Sequence, residues 1–145
     1  MLQPDFIYGS LLEQELVSHD EAIARELTDK ADPRELQPNQ TLYTKGDEAN
    51  FIFFVLDGNC KLVDDNGVIA VIKGGACLGE FPLLGVSRAY AVTAVAGEKS
   101  VFAQVSYSDF RAIAAKYPKI WELMAAMLAR RLNGQLRSRT DEAIQ

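Results

Sequence analysis

The middle of this chain most limits what it can fold into. Between Arg34 and Ser106, short apolar runs alternate with turn signals. These are Pro38-Asn39, Gly46-Asp47, Asp57-Gly58-Asn59, Asp64-Asp65-Asn66-Gly67, Gly74-Gly75 and Ala96-Gly97-Glu98. Runs this short between Gly, Pro, Asn and Asp read as strands rather than helices. Asn66-Gly67, between the runs 60–63 and 68–72, is a hairpin signal. Residues 51–56, Phe-Ile-Phe-Phe-Val-Leu, are continuously apolar and suit a strand covered on both faces. Residues 90–95 and 101–105 complete the set. About eight short strands joined by tight turns predict a jelly-roll-type β-roll, mainly β with flanking helices. Such a barrel has room for one small ligand at its mouth.

Helical patterns flank the roll. Over residues 6–31, Phe6, Ile7, Leu11, Leu12 and Leu16 form a loose stripe. Ser18 or Asp20 caps a second helix through Ala22, Ile23 and Leu27, which Asp32-Pro33 ends. After the roll, about 34–106, come the C-terminal helices, about 108–138. Ser108 or Asp109 opens the shorter one, and Tyr117-Pro118 breaks it. The longer one carries Ile120, Leu123, Met124, Met127, Leu128, Leu132 and Leu136 at helical spacing. Arg130, Arg131, Arg137 and Arg139 read as a solvated face that complements the helix dipole. Gly134 weakens this helix by roughly 1 kcal/mol relative to Ala, and residues 140–145 read as a frayed tail.

Composition closes off several function classes. At 145 residues, residues 1–145 make one domain, and 48% hydrophobic residues suffice for a core. A net charge of −5 opposes gripping nucleic acid. No apolar run approaches the roughly 20 residues of a membrane span. The first residues lack a basic segment followed by an apolar one, so a cytoplasmic location is expected. His19 is the one histidine, which removes a His-built metal site and Ser-His or Cys-His catalysis. Cys60 and Cys77 read as small core residues in a reducing compartment. No catalytic residue, metal site or cofactor is therefore expected, and the chain is read as a non-enzyme.

The stretch with chemistry in it is Leu78-Gly79-Glu80-Phe81-Pro82-Leu83-Leu84-Gly85-Val86-Ser87-Arg88-Ala89-Tyr90. A carboxylate accepts from hydroxyls, and a guanidinium eight residues on grips an anionic oxygen pair. A short helix start between them would offer free N–H groups to the same anion. Together these suit a small sugar-phosphate.

This stretch resembles the phosphate-binding cassette of the cyclic nucleotide-binding domain. That pattern runs Phe-Gly-Glu-Leu-Ala-Leu, a few residues, then Pro-Arg-Ala-Ala. Gly79, Glu80, Leu83, Leu84, Arg88 and Ala89 match it, and the upstream run 43–58 is similar to the family's Gly-Asp turn, apolar strand and closing glycine. The resemblance covers about residues 20–138 and implies a cyclic nucleotide ligand. Glu80 would accept from the ribose 2′-hydroxyl, with the Gly79 N–H and Phe81 beside it. Arg88 and the Ala89 N–H would hold the phosphate. Ala89, where cGMP-selective members often carry Thr, favours cAMP over cGMP. Three positions depart from the pattern. Pro82 replaces an Ala whose N–H helps hold the phosphate. Ser87 replaces Pro. Tyr90 replaces a small residue, and would crowd the pocket or stack on a base. These changes are expected to weaken binding.

The last helix resembles that of the catabolite-activator branch through Met127-Leu128-Ala129-Arg130-Arg131-Leu132. The resemblance implies a possible homodimer through this helix and possible base contacts from Asn133, Gln135 and Leu136, which read equally as helix-surface residues. The sequence names no downstream effector. It leaves a sensor module set against a binding-defective scaffold that kept the roll, with a small jelly-roll enzyme as a third reading.

Overall fold

A computed structural model describes the backbone of residues 3–144 and the side chains through residue 134. Helices α1 (Pro4–Leu12) and α2 (Glu21–Lys30) precede the strands. The Asp20 carboxylate caps α2 by accepting from the Ile23 N–H at 3.1 Å, the role expected of Ser18 or Asp20. The strands are β1 (Asp32–Leu36), β2 (Thr41–Tyr43), β3 (Phe51–Asp57), β4 (Asn59–Asp64), β5 (Gly67–Lys73), β6 (Cys77–Leu78), β7 (Thr93–Ala96) and β8 (Ser100–Ser106). Helices α3 (Tyr107–Lys116) and α4 (Lys119–Ile144) follow.

The eight strands form two antiparallel sheets, ordered β1-β8-β3-β6 and β2-β7-β4-β5. This is the expected β-roll with helices at both ends. Strand β3 is interior, and its Ile52, Phe53, Phe54 and Val55 are all buried, as its unbroken apolar run requires. Pro33 ends the N-terminal helices and also enters β1. It is tolerated there because β1 is a sheet edge, where a missing N–H breaks no interior ladder.

Helices α3 and α4 pack through an aromatic chain. Phe54 lies 6.4 Å from Phe110, and Phe110 meets Trp121 edge-on at 5.7 Å. Ile120, Met124 and Met127 of α4 are buried in the domain's own core. The apolar stripe expected to receive a second copy is thus spent internally up to Met127, leaving Leu132 exposed. Cys60 and Cys77 are free and buried, and burial pushes the Cys60 thiol up to about 12.

Four boundaries differ from expectation. Ser106 caps α3 by accepting from the Asp109 N–H, so the helix begins at Tyr107 rather than at Ser108 or Asp109. The strand expected from residue 90 begins at Thr93. Tyr90 instead pairs with the turn at residues 46–47, its N–H donating to the Asp47 carbonyl and its carbonyl accepting from the Gly46 N–H. The expected short helix after Glu80 is a single turn. Helix α4 runs past Gly134 to Ile144 where a tail was expected. Arg131, Leu132, Gln135, Leu136 and Arg137 around that glycine are good helix formers and offset its penalty. Among the described residues, no helix is long and apolar enough to cross a membrane.

Candidate functional site

Strand β6 delivers the cassette. Gly79 follows it at φ +83°, and a Cβ there would lie 3.1 Å from the Phe51 carbonyl oxygen and 3.4 Å from the Tyr90 ring. Only glycine takes that backbone without strain. The Gly79 carbonyl accepts a short hydrogen bond from the Tyr107 hydroxyl. So held, the chain turns Glu80 inward, and the residue is buried at 5% exposure.

Glu80 lines a cavity of about 390 Å³ at the mouth of the roll, together with Tyr43, Tyr90, Ile69, Leu128 and Arg131. Arg131 of α4 donates from Nη1 to Glu80 Oε1 at 3.2 Å. Its Nη2 donates to the Cys77 carbonyl and lies 3.4 Å from Met127 Sδ. Burial pushes the Glu80 carboxyl above the usual carboxylate range, and the Arg131 guanidinium draws it part of the way back. The pair places one acceptor and one cation in a largely apolar cavity. That arrangement can take a hydroxyl and an anionic oxygen together.

Tyr43 and Tyr90 stack at 3.9 Å between ring centroids. The Tyr90 hydroxyl donates to the Phe51 carbonyl at 2.9 Å. Tyr90 is thus a fixed wall with one face already covered, and burial pushes the Tyr43 and Tyr90 phenols up.

The turn after Glu80 closes tightly. The Val86 N–H donates to the Phe81 carbonyl and the Gly85 N–H to that of Pro82, both at 3.1 Å. With Gly85 at φ +81°, this is the glycine-closed ending that stops a helix after one turn. Arg88 leaves it on the far side. It is exposed and lines a separate cleft of about 650 Å³ with Glu48 and Arg111. Glu80 and Arg88 were expected to converge; in this structure they line no common cavity. Pro82 lines both spaces and is the wall between them. The tyrosine stack walls the Glu80 cavity on one side. Backbone pairing of Ala49 with Arg88 and of Glu48 with Ala89 holds the loop end outside it.

The other expected residues fall as follows. Phe81 is 47% exposed at the cavity mouth. Ala89 lines neither space, and its carbonyl accepts from the Ser87 hydroxyl at 2.5 Å. Asn133 is exposed, and the side chains of Gln135 and Leu136 lie outside the described residues. Arg131 was read as solvated face and is instead the partner of Glu80. One signal could have found it: it stands four residues after Met127 and seven after Met124, so a charge occupies the buried stripe.

Residues 33–117 match the cyclic nucleotide-binding domain family, and the chain belongs to it. Among known relatives, the Pycsar effector protein PaPycTIR of Pseudomonas aeruginosa is 30% identical over 123 residues, 85% of this chain and 40% of that protein. XpPycTIR of Xanthomonas perforans, also a Pycsar effector protein, is 29% identical over 126 residues, 87% of this chain and 42% of that protein. The chain therefore spans less than half the length of these curated relatives. The same fold occurs in the cAMP-bound PfPKA-R structure, at a TM-score of 0.75 and 19% identity over 91% of this chain and 47% of that one. The catabolite activator protein of Thermus thermophilus gives 0.72 and 22% over 88% and 62%.

Proposed function

We propose that this chain is the ligand-sensing part of an effector controlled by a cyclic nucleoside monophosphate, and that it carries no reaction itself. The carrying observation is the buried Glu80 carboxylate held against Arg131 of α4 in the cavity of a cyclic nucleotide-binding domain. In this reading Glu80 accepts from the ribose hydroxyl and Arg131 stands beside the sugar-phosphate. The base lies against Ile69 and Leu128. Arg88 is recruited to the phosphate from the far side of the cassette turn. Because α4 is tied to the ligand-binding carboxylate, occupancy changes how α4 is held, and that is the outgoing signal. Two curated relatives are named effector proteins, which supports a role upstream of an effector output. Ala89 lines neither space, so the base is assigned by titration.

The test is calorimetric titration with the cyclic nucleotides of adenine, guanine, cytosine and uracil. Saturable binding of at least one is expected, with Glu80→Ala weakening it by roughly 1.5–3 kcal/mol. Arg88→Ala weakens it by about 2–5 kcal/mol if the recruited guanidinium is desolvated. Absence of heat with all four at millimolar ligand refutes the sensor reading. It would leave the scaffold reading, which the departures from the family pattern at Pro82 and Tyr90 motivate.

A further inference from the structure

We propose that the cleft on the outer side of the cassette turn is a second site, for a phosphoryl oxyanion, built by Arg88 and Arg111. The two arginines come from different elements, the end of the cassette and α3, yet line one open cleft of about 650 Å³. Neither has a carboxylate partner among the described residues. By contrast Arg130 pairs with Glu15 and Arg131 with Glu80.

Arg111 is already oriented. Its Nη2 donates to the Leu83 carbonyl at 3.1 Å, and its guanidinium lies 5.9 Å over the Tyr107 ring. A guanidinium has five N–H donors, so this anchoring leaves most of them for the cleft. Ser108 and Asn50 add neutral donors, the Ser87 hydroxyl being spent on the Ala89 carbonyl, and among the described residues Glu48 is the one carboxylate in the lining. Two guanidiniums against one carboxylate favour a compact, multiply charged oxyanion that accepts a forked pair of bonds. The N-terminus of α3 is already satisfied, since Ser106 caps it and the Tyr107 N–H donates to the Asn50 carbonyl.

The site also bears on the nucleotide, and this half of the inference rests on the reading proposed above. Pro82 separates the two spaces, and Arg88 cannot serve both at once. An oxyanion that holds Arg88 outside therefore opposes its recruitment inside. By linkage the nucleotide weakens the oxyanion equally.

The experiment is titration of the full chain with pyrophosphate at constant ionic strength, followed by thermal unfolding and calorimetry. Saturable stabilisation is expected for the wild type and for Glu80→Gln. Tighter binding is expected for Glu48→Gln, and none for Arg111→Gln. Ser108→Glu puts a carboxylate in the cleft without touching the Arg111–Leu83 bond and should also abolish it, which guards against misfolding of the arginine variant. Saturating pyrophosphate should raise the nucleotide Kd by about fivefold, the lower end of ordinary coupling, in the wild type but not in Arg111→Gln. Stabilisation no greater than that of chloride at equal ionic strength, or unchanged in both Arg111→Gln and Ser108→Glu, overturns the site. Nucleotide affinity indifferent to saturating pyrophosphate overturns the competition. A wild type that takes pyrophosphate but none of the four nucleotides supports the site and refutes the sensor reading instead.

Discussion

Replacing Arg131 by Met leaves the Glu80 carboxylate in its buried position without a cation. Glu80 is 5% exposed, and the Arg131 side chain is 25% exposed. Breaking a fully buried pair by removing one member typically costs about 3–5 kcal/mol. Here the partly exposed guanidinium and the option of protonating Glu80 reduce that to about 2–3 kcal/mol near neutral pH. The loss must then depend on pH. Burial raises the folded carboxyl above its ordinary 4.5, so between the two values the folded state holds more protons than the unfolded one. Stability contributed by this group is therefore highest below about 4.5 and falls as pH rises through the folded value. Removing Arg131 moves the folded value further up and widens that window. Urea unfolding of wild type and Arg131→Met at about pH 7.5 and about pH 5 should show the gap shrinking on acidification. What remains is the lost bond to the Cys77 carbonyl, about 1 kcal/mol. Adding Glu80→Gln to Arg131→Met should restore most of the loss at the higher pH. A gap independent of pH, with no rescue by Glu80→Gln, would refute the assignment of Arg131 as the charge partner of Glu80.

Gly79→Ala should destabilise the fold by about 1–2 kcal/mol through its left-handed backbone and weaken nucleotide binding, read by thermal unfolding and titration; an unchanged Tm would contradict the observed conformation. Phe54→Ala should cost about 3–5 kcal/mol, because its ring is fully buried against Phe110, and a denaturant midpoint near the wild type's would show that the aromatic chain does not carry the packing of α3.

The comparison of expectation with structure is clearest at particular elements. The run 51–56 announced an interior strand because six apolar residues in a row leave no face for water. Ser18 or Asp20 announced the second helix because a capping side chain acts within one turn of chain, and the structure selects Asp20. Gly79-Glu80 and Arg88-Ala89 announced the cassette through their resemblance to the family's pattern, not through spacing alone. Arg131 was not read this way. Its partner stands fifty-one residues earlier, and nothing in the spacing of either says which cation will meet which carboxylate.

Local physics thus sufficed for the order of strands and helices and the buried faces, while the cassette was legible through its resemblance to a family pattern. Turn residues, caps and apolar periodicity all act over a few positions of the chain. Only the packed molecule decided that Glu80 meets Arg131 while Arg88 lines the outer cleft with Arg111. That choice follows from where Tyr43 and Tyr90 wall the cavity and where Arg131 of α4 reaches it, since side chains distant in sequence compete for one volume.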